Sequence, residues 1–183
     1  MKHRQRSLMS VLALLPLAAN ANLEMQGELN AIVPIRANLT LATCNLMLTD
    51  RSGMPLNSIE FEQIESGVIN GPVSQTEFAL TPAASSDGHC FVNTPDFTVI
   101  ADFEGSGDGN IRNQGSAGNI SVRLWGQTPA GLELFSSAHP TRPMMLHDAG
   151  RLWLTAELNP INSSMSITAG SIEAVASFDV VYK

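Results

Sequence analysis

From Asn22 to Cys44 the chain alternates with a period of two. The odd positions Leu23, Met25, Gly27, Leu29, Ala31, Val33, Ile35, Ala37, Leu39 and Leu41 are apolar or glycine. The even positions between them are mostly polar: Asn22, Glu24, Gln26, Glu28, Asn30, Arg36, Asn38 and Thr40. Successive side chains of a strand point to opposite faces, so this spacing puts one apolar stripe on one face. A helical period would scatter the same positions around the whole circumference. Strands of globular domains run about 3–10 residues, and at about 3.3 Å per residue this pattern would reach roughly 65 Å. That exceeds the width of a compact domain of this size. The expectation is that the front part of the strand finds its partner outside its own domain.

Short alternating runs, separated by Gly, Pro, Asn, Asp and Ser, fill the rest of the chain. Asp50–Pro55 reads as a turn, followed by a short strand at Ile59 and Phe61 that extends toward Ile64. Residues 67–74 break the pattern again, and Phe78 and Leu80 alternate before Pro82. Phe97, Val99, Ala101 and Phe103 predict a strand, and Glu104–Gly118 a long loop. Ile120, Val122 and Leu124 predict a strand ended by Gly126 and Pro129, with a short one at Leu132 and Leu134. Leu152, Leu154, Ala156 and Leu158 alternate up to Asn159-Pro160, and Ala174 to Tyr182 alternate to the end. No stretch after the first 21 residues supports a helix of ordinary length, which predicts an all-β sandwich in one domain.

The first 21 residues read differently. Lys2, Arg4 and Arg6 precede an apolar stretch from Leu8 to Ala19, and Ala19-Asn20-Ala21 is a small-x-small cleavage pattern. This is a secretory signal, too short to span a bilayer and interrupted by Pro16. Its removal takes away three cations and shifts the formal charge from −7 to −10. So acidic a chain has no electrostatic footprint for nucleic acid and no attraction to anionic membranes.

Two cysteines, Cys44 and Cys90, follow the signal. An even pair in an exported chain is most simply a disulfide, closing a loop of about 46 residues worth roughly 4 kcal/mol in the chain-entropy account. A metal site is the alternative, with His89 beside Cys90 its one hint. Asp102–Asn110 has acidic residues at calcium-loop-like spacing but lacks the twelfth-position carboxylate, and a Gly-rich turn between strands looks the same. His89, His139 and His147 share no zinc spacing, and no Gly-x-Ser-x-Gly elbow is present. The scattered carboxylates cannot be paired for acid–base work. Trp125 and Trp153 suit either sugar stacking or packing in a sandwich. The reading names no catalytic residue, metal or cofactor.

Both ends of the exported chain carry a further signal. Gly170-Ser-Ile-Glu-Ala-Val-Ala-Ser-Phe-Asp-Val-Val-Tyr-Lys183 has Gly fourteenth from the end and Tyr next to last, with alternation between them. It resembles the C-terminal signature of type 1/P-like pilus subunits assembled by the chaperone–usher route. Asn113–Trp125 (NQGSAGNISVRLW) is similar to that family's small-residue turn leading into an alternating strand, and Cys44 and Cys90 sit where its single disulfide would fall. The resemblance covers essentially the whole exported chain. It implies an incomplete immunoglobulin-like sandwich lacking its last strand, completed by a donor strand from a periplasmic chaperone or a neighbouring subunit.

On that resemblance residues 1–21 are the signal, 22–37 the donor extension and 38–183 the pilin-type domain. The donor stripe is Leu29, Ala31, Val33, Ile35 and Ala37. The family often has glycine at the positions of Ala31 and Ala37, and Pro34 withholds one ladder N–H. Burying three large and two small apolar side chains would contribute roughly 5–10 kcal/mol before ordering costs. The groove and chaperone-binding strand would be Gly170, Ala174, Ala176, Phe178, Val180 and Tyr182. The ordinary alternative is that these residues face a closed core. The implied partners are other pilus subunits, a periplasmic chaperone, an outer-membrane usher and, for some single-domain members, a host receptor. The implied destination is the cell surface, reached through the periplasm. A secreted β-sandwich that binds a carbohydrate or protein without polymerising is the competing expectation.

Overall fold

The computed structural model describes residues 28–33, 35–37, 46–61, 64–65, 72–82, 97–147 and 150–182. Among them every regular element is a strand. The long N-terminal run forms β1 (Glu28–Val33) and β2 (Ile35–Ala37). After β3 (Leu46–Thr49) come three two-residue strands: β4 (Pro55–Leu56), β5 (Ile59–Glu60) and β6 (Ile64–Glu65). The first long strands are β7 (Ser74–Pro82), β8 (Phe97–Phe103) and β9 (Ile120–Thr128). Then follow β10 (Gly131–Leu134), β11 (Thr141–Met144), β12 (Leu146–His147) and the ten-residue β13 (Arg151–Pro160). The chain closes with β14 (Gly170–Glu173) and β15 (Ala176–Tyr182).

The strands pair into three sheets. The largest runs β10-β9-β13-β7-β3-β4, with β12 also on β13, and all its pairs are antiparallel. A second runs β11-β8-β15-β2 and a third β14-β1-β5, with β6 also on β1. Alternation along each strand sends one face inward, and the inward sets meet. Phe78, Leu80, Leu124, Leu152 and Leu154 of the large sheet share one buried cluster with Val99, Ala101, Phe178 and Val180. The Phe178 ring lies 6.3 Å from both Phe78 and Phe135, tilted or edge-on, which favours aromatic pairs across two layers. Packed antiparallel layers around one apolar core make the molecule an all-β sandwich.

One expectation about a strand end changes. β9 does not stop at Gly126 but runs on to Thr128. A Cβ at Gly126 would stand 2.7 Å from Met144 Sδ and 2.9 Å from the Phe135 ring, so this glycine gives room for close packing rather than a turn. β11 and β12 gave no sequence signal, because Pro143 and the short apolar pair Met144-Met145 blur the alternation. In the single chain residues 28–33 and 35–37 pair with its own strands.

Candidate functional site: a strand slot beside the last strand

The last strand is built in two parts, and each has one edge held firmly by its own chain. β14 is held by the turn at 113–118. Asn113 organises that turn: its Oδ1 accepts from Gly115 N at 2.9 Å and from Glu173 N at 2.8 Å, while its Nδ2 donates to the Ala117 carbonyl at 2.8 Å. Backbone bonds follow from Gln114 N to the Glu173 carbonyl (2.7 Å) and from Ala117 N to the Ser171 carbonyl (2.9 Å). The approach is tight enough to demand glycine at two places. A Cβ at Gly170 would meet Ala117 N at 2.5 Å, and one at Gly115 would meet the Ser171 carbonyl oxygen at 2.2 Å. The next part, β15, is held by β8 over seven antiparallel residue pairs, from Ala176↔Phe103 to Tyr182↔Phe97.

The opposite edges of both parts face one slot, and residues 28–37 occupy it. β1 runs parallel to β14, from Leu29↔Gly170 to Ile32↔Glu173, and β2 runs parallel to β15, from Ala176↔Ile35 to Phe178↔Ala37. These are the parallel pairings among the described strands. On its far side β1 meets β5 (Val33↔Ile59) and β6 (Leu29↔Ile64), both antiparallel. β14 and β5 do not pair with each other, so β1 alone joins them into a sheet.

The residues read from sequence fall as follows. Leu29, Ala31, Val33, Ile35 and Ala37 all lie on β1 and β2, in the slot. Ala174, Ala176, Phe178 and Val180 are buried to 1% exposure or less, while Glu173 and Val175 are exposed. Gly170 opens β14, and Tyr182 closes β15. Cys44, Cys90 and His89 lie outside the described residues. Sequence reading missed Ile172, 1% exposed and in phase with Ala174, although the same alternation carried two residues further back would have found it. It also missed Asn113 as the residue holding the turn. A side chain that serves three backbone groups leaves no periodic signal.

The acidic loop that suggested calcium is engaged locally. Asp108 accepts from the Ser106 hydroxyl and from Asn110 Nδ2, which hold its carboxyl below the usual range, the Ser106 bond being the larger cause. Glu104 pairs with Arg112 at 2.8 Å. Among the described residues no three His, Cys, Asp or Glu side chains stand together as a metal site. No helix among them is long and apolar enough to cross a membrane.

What the slot can do is accept a strand. Its walls are backbone edges and its buried face is aliphatic and aromatic, so affinity would come from the ladder and selectivity from alternate side chains. No protein-family description and no curated protein sequence matches the chain.

Proposed function

We propose that the chain is a structural subunit of a surface fimbria, one that polymerises when the leading segment of one molecule takes the slot of the next. The fold would then be an immunoglobulin-like sandwich lacking one strand of its own. Export would carry the chain through the periplasm, where a chaperone fills the slot until an usher brings the next subunit. On this reading the protein contributes to cell adhesion as a building block and has no catalytic role. The observation that carries the reading is the junction of β14 and β5 by β1 alone: one short segment near the start of the chain completes a sheet that is otherwise split.

Physical chemistry favours exchange over permanence. The intramolecular complement is parallel, and parallel ladders are slightly less stable per residue than antiparallel ones. It is also made in two pieces, β1 against β14 and β2 against β15. A segment of another molecule, free of the tether to β3, can choose its direction and register.

The test uses the chain from residue 22 onward and a fluorescent peptide of residues 22–37. Over hours the peptide should enter the folded chain and stay through gel filtration, while an Ile35→Asp peptide should not. A chain that excludes the native-sequence peptide under mildly destabilising conditions would overturn the reading.

A self-sufficient β-sandwich that binds its target as a monomer is the second reading. One observation favours it: residues 28–37 already close the chain's own sheet. The same experiment separates the two, since a permanent strand admits no peptide.

A further inference from the structure

The outward side of the large sheet carries a concave feature that strand exchange does not use. Along β13 the side chains of Leu152, Leu154, Ala156 and Leu158 go to the core, so Arg151, Trp153, Thr155 and Glu157 take the other face. Thr155 stands between Trp125 of β9 and Glu77 of β7 in the cross-strand row. The β3–β4 turn, in which Gly53 has a φ of 88°, brings Arg51 to this face. Arg51 Nε donates to Glu77 Oε2 at 2.7 Å, and Arg151 Nη1 donates to the Arg51 carbonyl at 3.2 Å. A cleft of about 500 Å³ lies here, lined by Arg51, Glu77, Gln127, Leu132, His147 and Trp153, with Thr155 between them. That volume falls within the range of small-molecule sites.

Three features define what would fit. Trp153 lines the cleft while the Arg151 guanidinium sits 5.9 Å from its ring centroid, a cation–π contact that holds the indole in place. Leu132, 62% exposed, adds an apolar rim. Among the lining residues Arg51 is matched by Glu77, so the lining itself carries no surplus cation for an acidic ligand. What remains is an aromatic surface beside planar amide, carboxylate and guanidinium groups that hydrogen-bond hydroxyls. His147 Nε2, in the cleft lining, is buried and has no hydrogen-bond partner among the described residues, and nor does Trp125 Nε1 beside Thr155.

We propose that this cleft binds a neutral saccharide, with a pyranose face on Trp153 and its hydroxyls held by Glu77, Gln127 and Arg51. A peptide adding by strand would need a free backbone edge, whereas the cleft offers the side chains of a sheet face. The inference does not depend on strand exchange, because the cleft residues and residues 28–37 belong to different sheets.

The experiment titrates neutral oligosaccharides of glucose, galactose, mannose and N-acetylglucosamine into the chain from residue 22, read by tryptophan fluorescence and calorimetry. At least one should bind with a Kd of about 1 mM or tighter. Trp153→Ala and Gln127→Ala should each weaken it about tenfold or more. Arg112→Ala, which breaks the distant pair with Glu104, should leave it unchanged. Circular dichroism checks that each variant folds, and Gln127→Ala carries the test if Trp153→Ala does not. The proposal is overturned if none of these sugars binds at about 10 mM. It is equally overturned if the cleft variants keep full affinity, or if only sialylated or sulfated sugars bind.

Discussion

Along one edge of β15, residues Ala176 to Tyr182 pair antiparallel with β8 over the whole strand; along the other, among the described residues, Ala176 to Phe178 pair in parallel with β2. The two edges belong to the same seven residues, so composition does not distinguish them. Their neighbours do. β8 is a continuous strand whose Phe97, Val99 and Ala101 are all buried in the core. β2, described over Ile35–Ala37, lies parallel to β15, and parallel ladders are slightly less stable per residue. One edge thus carries a full antiparallel ladder and the other a parallel one, the edge at which the proposed exchange would take place. The turn at 113–118 makes the same division for β14, fixing one edge and leaving the other to β1.

The comparison can be broken or sharpened by substitution. The largest effect belongs to the side that both edges share. Phe178 is fully buried and its ring meets Phe78 and Phe135, so Phe178→Ala should destabilise the whole sandwich by about 3–5 kcal/mol in denaturant unfolding. A loss under about 1 kcal/mol would mean that the layers do not lock through this residue. The smallest effect belongs to a turn remote from both edges. The Ser52 hydroxyl and then Met54 N bond the Asp50 carboxylate, at 2.7 and 2.8 Å, and hold its pKa below the ordinary carboxylate value. A lowered folded-state pKa gives a contribution that is present above pH about 4 and fades as pH falls through the folded value. Asp50 lies at the surface, where solvent screens its charge, so Asp50→Asn should slightly flatten the acid limb of a stability-against-pH curve and leave peptide uptake at the slot unaltered. A change in uptake would show that the turn and the slot are coupled.

How much of this was legible beforehand follows from what each residue depends on. The strands of the core announced themselves, because burial of one face imposes a period of two, and Phe97–Phe103 appears with the bounds its alternation predicts. The C-terminal strand was equally readable, except that it breaks at residues 174–175 into β14 and β15. The long N-terminal run was recognised as a strand, and the single chain pairs it with β14 and β15. Alternation specifies which face is apolar and says nothing about which edge, or whose, lies alongside. Gly126 was read as a stop when it is a packing site, because a glycine's reason lies in what approaches it. The outward cleft was illegible for a related cause. Arg51, Glu77, Gln127 and Trp153 come from four separate stretches, and only the register of the large sheet brings them together.

The central claim is that residues 28–37 fill a slot which another molecule's segment can fill instead. Its most direct test is to refold a chain lacking residues 22–37 together with the intact chain from residue 22 and weigh the products by native mass spectrometry. The account predicts a stable complex in which the intact chain donates to the truncated one, and a truncated chain that does not fold by itself. A truncated chain that folds as a stable monomer, or that gains nothing from the intact chain, would contradict it.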